Sequence, residues 1–452
     1  MTQNKRNRRT GGPLLTLMLI CLFLAPGAWA QSELPSPLTL ADALQVALAA
    51  NPTVAAAEAQ LRAREAAYDG QQARRLPTLS LDASGSIGKS LDRTTNVNGT
   101  PVQTGSDITE SSDIAATVGY IFYQSGRDEA IASARQQTRA SEASLANAQQ
   151  RLLEQVATVW HTIHSQQELA AVAEQAVENA QHHLELVDAR IAAGNAAEAD
   201  LLPIEADLAA AEYDLVSATN AIWQSVAELR QYLALPVDVL PHLASVPELE
   251  IERARLETWI DAGLSTRPDL QAQRHSVRAA ALSVDQAQIN AGLSFTAQGQ
   301  ADYGRHTGTN GETWQLTAGI SFPLFDRQAD AGVDEAKASL EASRQQLAEL
   351  ELTVAREVSQ AWYSLTDASE RVISAQASLA AAASNLDAAR ERYAAGVGDV
   401  IAVTDAETTW RRAAGQLVQA RYDRNIAYYR LLAAAGRLSV AQTEQTTREG
   451  SQ

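Results

Sequence analysis

The stretch GISFPLFDR (Gly319–Arg327) closes one sequence pattern and opens another, and GYIFYQSGR (Gly119–Arg127) does the same 200 residues earlier. Upstream of each, apolar and polar residues alternate. Trp314, Leu316, Ala318, Ile320, Phe322 and Leu324 oppose Gln315, Thr317, Gly319 and Ser321. Leu293, Phe295, Ala297, Ala301 and Tyr303 oppose Ser294, Thr296, Gln298, Gln300 and Asp302. The first half keeps the same phase in Leu79, Leu81, Ala83, Gly85 and Ile87, then in Ile114, Ala116, Val118, Tyr120 and Phe122. Period two over about ten residues marks a strand with one apolar face, and four such strands in two hairpins fit a membrane barrel better than a half-buried sheet. Tyr120, Phe122, Tyr303, Trp314, Phe322 and Phe325 suit an interfacial aromatic girdle. Four strands cannot close a barrel, which needs at least about eight, and lipid tolerates no open edge. Several copies must therefore share one barrel. Two copies supply about eight strands and a filled interior, whereas three supply about twelve and a lumen, which the polar face favours.

Downstream of each corner the pattern changes to one of strong helix formers. Arg127 to Ala193 and Arg327 to Ala395 contain no proline and are rich in Ala, Gln, Glu, Leu and Arg. About 65 residues at 1.5 Å each make a rod of roughly 100 Å. Gly194 and Gly396 stand where a left-handed C-cap wants glycine. A return helix is expected after each, over Glu198–Tyr232 and Val400–Ala435, with Pro203 tolerated in the first turns. Shorter helices are expected over Leu40–Arg75 and Ile251–Asn290.

The echo extends further. LTLADALQVALAANPTVAAAEAQ (Leu38–Gln60) corresponds to ETWIDAGLSTRPDLQAQRHSVRA (Glu257–Ala279), and RIAAGNAAEADLLPIEADL (Arg190–Leu208) to RYAAGVGDVIAVTDAETTW (Arg392–Trp410). Self-similarity of this kind sets the architecture. It divides the mature chain into a first repeat over 31–234, with a β-hairpin about 77–124 and a helical hairpin about 127–232. A linker over 235–250 leads to a second repeat over 251–437, with a β-hairpin about 292–325 and a helical hairpin about 327–435. A tail over 438–452 is expected to be disordered. The offset between halves is 216 at Pro52/Pro268 but 200 at Gly119/Gly319, so the first hairpin's tip, Lys89–Ser112, is 16 residues longer, as suits an outer surface loop.

Residues 1–30 read as a secretory signal, with Lys5, Arg6, Arg8 and Arg9, an apolar run Leu14–Leu24, and Ala28-Trp29-Ala30 before the cleavage point. Cys21 lies in that run behind Ile20, which argues against a lipidated cysteine, and the mature chain then has no cysteine for disulfides or thiolate metal sites. Removal of the signal takes away four basic and no acidic residues, so the charge becomes (36 − 4) − 54 = −22. Such a chain lacks the positive footprint of a nucleic-acid binder.

No catalytic or phosphate-binding motif occurs, and the reading is of a non-enzyme without cofactor. His161 and His164, spaced i, i+3, are the one candidate metal pair, and no carboxylate motif accompanies them, so no metal is assigned. Asp200 and Asp405 follow the two tips by six and nine residues. In a trimer an inward aspartate becomes a ring of three carboxylates, a cation-selecting device, and the plain alternative is a solvated helix face.

Together these segments resemble the TolC-type outer membrane factor family across essentially the whole mature chain. The resemblance implies a trimer with a twelve-stranded barrel in outer membrane lipid, four strands per chain, continued by a long α-helical barrel in the periplasm of a Gram-negative bacterium. It implies passive efflux or secretion driven by an inner-membrane pump, with a periplasmic adaptor docking at the tips. Asp405 matches the second of two gate aspartates while Ala402 stands at the first; Tyr393 matches a tyrosine of the closed-state lock, whose arginine is replaced by Gly398. Gly194, Gly396 and Val397 match tip positions that adaptors contact. The competing reading is a soluble periplasmic coiled-coil scaffold, which would need no detergent.

Overall fold

A computed structural model describes residues 35–440, apart from 90–92, 105–107, 195, 247–248, 250, 253 and 307–308. The expected signal over 1–30 and most of the tail lie outside the described residues. All the elements below belong to one unit, Ser36–Gln452.

Each half opens with two helices rather than the single one expected. These are α1 (Leu40–Ala50) and α2 (Pro52–Ala73) in the first half, and α5 (Leu256–Thr266) and α6 (Pro268–Ala291) in the second. The expected Leu40–Arg75 and Ile251–Asn290 helices fail at the residue before a proline, which the ring drives out of the helical region. Asn51 and Arg267 take ψ 126° and 125° there. Asn51 turns the break into a joint: its carboxamide caps Thr53 N at 2.8 Å and donates to the Tyr232 carbonyl at 2.9 Å.

The sheet comprises β1 (Thr78–Lys89), β4 (Ile108–Gln124), β5 (Ser294–His306) and β6 (Thr309–Ser321), antiparallel in the order β1-β4-β5-β6. The long tip between β1 and β4 is not a plain loop. It carries a second hairpin, β2 (Arg93–Val97) and β3 (Thr100–Thr104), turned at Asn98-Gly99, with φ 51° and 81°. Positive φ at both positions is the type I′ geometry that Asn-Gly favours.

Register joins the four strands into one two-faced surface. Leu79, Val118, Ala301 and Trp314 lie in one row; the next row, on the other face, is Ser80, Thr117, Asp302 and Thr313. Asp302 accepts hydrogen bonds from Thr117 (2.7 Å) and Gln300 (3.1 Å), so the polar face carries its own network. The apolar face is bare: Trp314 is 82% exposed and Leu316 70%, and every residue of β1 is exposed.

Helix α3 (Arg127–Ala192) and helix α7 (Arg327–Ala394), each roughly 100 Å long, leave the sheet side by side with their return helices. Arg127 donates to the Ile121 and Phe122 carbonyls, and Asp326 caps α7 through Gln328 N and Ala329 N. Near the sheet, α3 and α7 flank α6, and α2 lies on α3. Farther down, α4 (Leu201–Tyr232) returns along α3, and α8 (Val400–Ala434) runs between α3 and α7. Mid-length, α5 closes on α7: a Cβ on Gly263 would come within 3.0 Å of Val358. The linker pairs beside α1 through Leu38 and Leu243, and Leu38 is fully buried. Leu438, assigned to the tail on sequence, is buried as well.

His161 sits at this mid-length core, 1% exposed, with its ring 5.2 Å from Tyr429 and neither nitrogen hydrogen-bonded. Burial, reinforced by His164, pushes its pKa down from 6.5 to about 3. The unfolded chain therefore binds this proton at pH values where the folded chain does not. Stability contributed by the neutral ring is complete above about pH 6.5 and is lost towards pH 3, on the order of 5 kcal/mol per chain. His161→Leu should flatten thermal stability between pH 7 and pH 4 relative to wild type. An unchanged slope in thermal melts would refute the assignment.

Candidate gate at the helical tips

Both long helices end in glycines with left-handed backbone, Gly194 at φ 74° and Gly396 at φ 76°. At the second tip Gly396 N bonds to the Tyr393 carbonyl and Val397 N to the Arg392 carbonyl, the paired bonds of a Schellman cap. At the first, Gly194 N bonds to the Ile191 carbonyl at 2.8 Å. A Cβ at Gly194 would meet nothing within 4 Å, and one at Gly396 only Arg190 at 3.8 Å. Val397 is 79% exposed, so the three candidate tip residues form an open end.

Above the tips, Val187, Ile204, Tyr393, Val400 and Val403 make a buried apolar cluster drawn from all four helices. Tyr393, at 6% exposure, is its largest member. The Arg190 guanidinium lies 4.6 Å over the Tyr393 ring and donates to the Tyr393 carbonyl at 2.7 Å. Gly398 is tightly enclosed beside Tyr393. A Cβ there would stand 2.8 Å from Tyr393 N and 3.0 Å from Arg392 C, leaving no room for an arginine.

The two candidate aspartates have different settings. Asp200 accepts from Ala197 N at 3.1 Å, within a short 3₁₀ turn, Glu198–Asp200, that leads into α4. Asp405 is exposed on α8, one turn from exposed Ala402. The structure does not bring Asp200 and Asp405 into one hydrogen-bonded group.

Sequence reading missed a second layer immediately above the apolar cluster. His183 of α3, 6% exposed, places Nδ1 3.7 Å from Glu407 of α8, itself 7% exposed. Arg390 of α7 reaches the other Glu407 oxygen at 3.1 Å. Arg411 of α8 lies 3.6 Å from Asp207 of α4, whose carboxyl is pushed up by burial, with Arg411 opposing. The signal was present: Val400, Val403 and Glu407 share one helix face, as do Ala180, His183 and Val187, so two polar residues occupy core positions. His161 and His164 do not join such a group, and among the described residues no cluster of three or more His, Cys, Asp or Glu could hold a metal ion.

Known proteins share this architecture. The sequence model of the outer membrane efflux protein family matches residues 43–235 and 259–437. The outer membrane efflux protein BepC of Brucella suis is 24% identical over 324 residues, covering 69% of this chain and 69% of its own. The pyoverdine export outer membrane protein OpmQ of Pseudomonas aeruginosa is 26% identical over 413 residues, covering 86% of this chain and 84% of its own. The CmeC outer membrane channel of Campylobacter jejuni shares the fold, with a TM-score of 0.76 at 17% identity over 91% of this chain and 89% of that one. A family match over both halves, on a chain with a bare apolar sheet and open-ended helical tips, decides the class: this chain belongs to the outer membrane efflux protein family, as a channel of the outer membrane reaching into the periplasm.

Proposed function

We propose that three copies, each built from two equivalent repeats, close a twelve-stranded barrel in the outer membrane and continue it as a helical tunnel whose tips are the gate. The observation that carries this is the sheet. Its apolar face is uncovered, its polar face has an internal hydrogen-bond network, and β1 and β6 each pair on one side only. In lipid such edges must find strands, and another copy offers the complementary ones. A soluble scaffold has no use for an exposed apolar face carrying Leu79, Leu81, Trp314 and Leu316. Cargo then moves passively, and a periplasmic adaptor at Gly194, Gly396 and Val397 connects the tunnel to an inner-membrane pump.

In the closed state Asp405 from three chains forms the constriction, with Tyr393 and its Arg190 contact holding the tips and Asp200 shaping the start of α4. Purified protein should require detergent, run as a trimer and form pores in planar bilayers. Asp405→Ala should raise single-channel conductance by about twofold or more, because a ring of like charge narrows and selects at close quarters. Trimers of unchanged conductance would remove Asp405 from the gate, and a detergent-free monomer would restore the scaffold reading.

A further inference from the structure

The buried layer above the tips lies across the seam that an opening motion has to cross. Every helix contributes a charged or titratable group: His183 from α3, Asp207 and Asp214 from α4, Arg390 from α7, and Glu407 and Arg411 from α8. Glu407 is the hub. One of its oxygens takes Arg390; the other, Oε2, is buried without a hydrogen-bond partner and faces His183. His183 Nε2 is likewise buried without a partner. The ring atom that faces Oε2 is Nδ1, at 3.7 Å, so Oε2 stays unsatisfied and costly in this packing, and a proton on His183 would turn the Nδ1–Oε2 approach into a charge-assisted one.

We propose that His183 and Glu407 form a proton-responsive latch that ties the α3/α4 hairpin to the α7/α8 hairpin and holds the tips closed. The inference rests on the channel reading above. Charge counting gives its direction. Glu407, Asp207 and half-exposed Asp214 contribute −3 and Arg390 and Arg411 +2, so the layer carries −1 with His183 neutral and 0 with it protonated. The remaining groups near His183 are the Tyr393 ring, edge-on at 5.6 Å, and the exposed His182–Glu185 pair on its own helix. Protonation thus neutralises a part-buried layer and joins α3 to α8, and deprotonation weakens that link. The latch is distinct from the Arg190–Tyr393 contact, which joins α3 to α7 about two turns nearer the tip along α3. His183 and Glu407 act as positioning residues: they hold helices and do not line the aperture by their burial.

The test is single-channel conductance of purified trimers between about pH 5 and pH 8. Wild type should be more closed at the acid end, with the open-to-closed ratio shifting about tenfold, the size of an ordinary coupling between two states. His183→Gln should abolish that slope, and Glu407→Gln should stay open across the range. Trimer content on native gels separates gating from misassembly, and Arg390→Gln provides a second route to the Glu407 hub. A wild-type slope that survives in His183→Gln, or Glu407→Gln trimers that gate like wild type, overturns the latch alone. Folded wild-type protein that forms no pores overturns the channel reading and the latch with it.

Discussion

Leu316→Arg should abolish assembly, whereas Gln315→Arg, one residue away, should leave it intact. Leu316 lies on β6 in the row of Gly299 and Tyr120, 70% exposed on the face that also carries Trp314 and Ile320. An arginine near the middle of a barrel's lipid face costs about 2–4 kcal/mol per chain, so roughly 6–12 kcal/mol in a trimer. That approaches the whole stability of an ordinary domain. Gln315 belongs to the opposite face, in register with Gln300, beside the Asp302 network, where a cation meets water and a carboxylate. The measurement is the fraction of each variant recovered as trimer in the outer membrane. Equal loss for both variants would show that the sheet has no lipid-facing side, and equal recovery would show that Leu316 does not meet lipid.

The contrast between those neighbouring residues was readable without coordinates, because a strand has period two and four segments kept phase over enough positions to reveal it. The long helices and their glycine ends were equally legible, since Gly194 and Gly396 interrupt otherwise unbroken helix formers. The breaks at Asn51 and Arg267 were also written, as Asn-Pro and Arg-Pro, and at Asn51 alanine-rich sequence on both sides masked the break. Asn98-Gly99 announced the β2/β3 turn in the same way. The proposed gate was less legible. Tyr393 could be placed on sequence, but its partner Arg190 lies 203 residues away. The polar layer requires knowing that α3 packs on α8, and helices of such uniform composition present many faces of nearly equal apolarity. Pairing between them is set by the few odd residues, His183 and Glu407 among them, whose meaning appears only once the partner is known.

Gly396→Arg separates tip recognition from everything above it. The left-handed φ of 76° costs any side chain about 1–2 kcal/mol, yet the position is open: an added Cβ approaches nothing nearer than Arg190 at 3.8 Å. The α7–α8 turn should therefore hold, because its two Schellman bonds are made by backbone groups. The Gly396→Arg chain should form trimers in normal amount, and their pores should conduct in bilayers. Export through the assembled system should nonetheless be lost, because a long cation now projects from the surface proposed to meet the adaptor, beside exposed Val397. Gly194→Arg should behave alike, since that tip is emptier still, with nothing within 4 Å. Gly396→Asn is the control, because asparagine tolerates left-handed backbone and adds little bulk; it should retain most export. The readouts are cargo resistance or secretion in cells and adaptor crosslinking at the tip. Normal export by both arginine variants, with trimers intact, would move the adaptor contact away from the tips and onto the flanks of the helical hairpins.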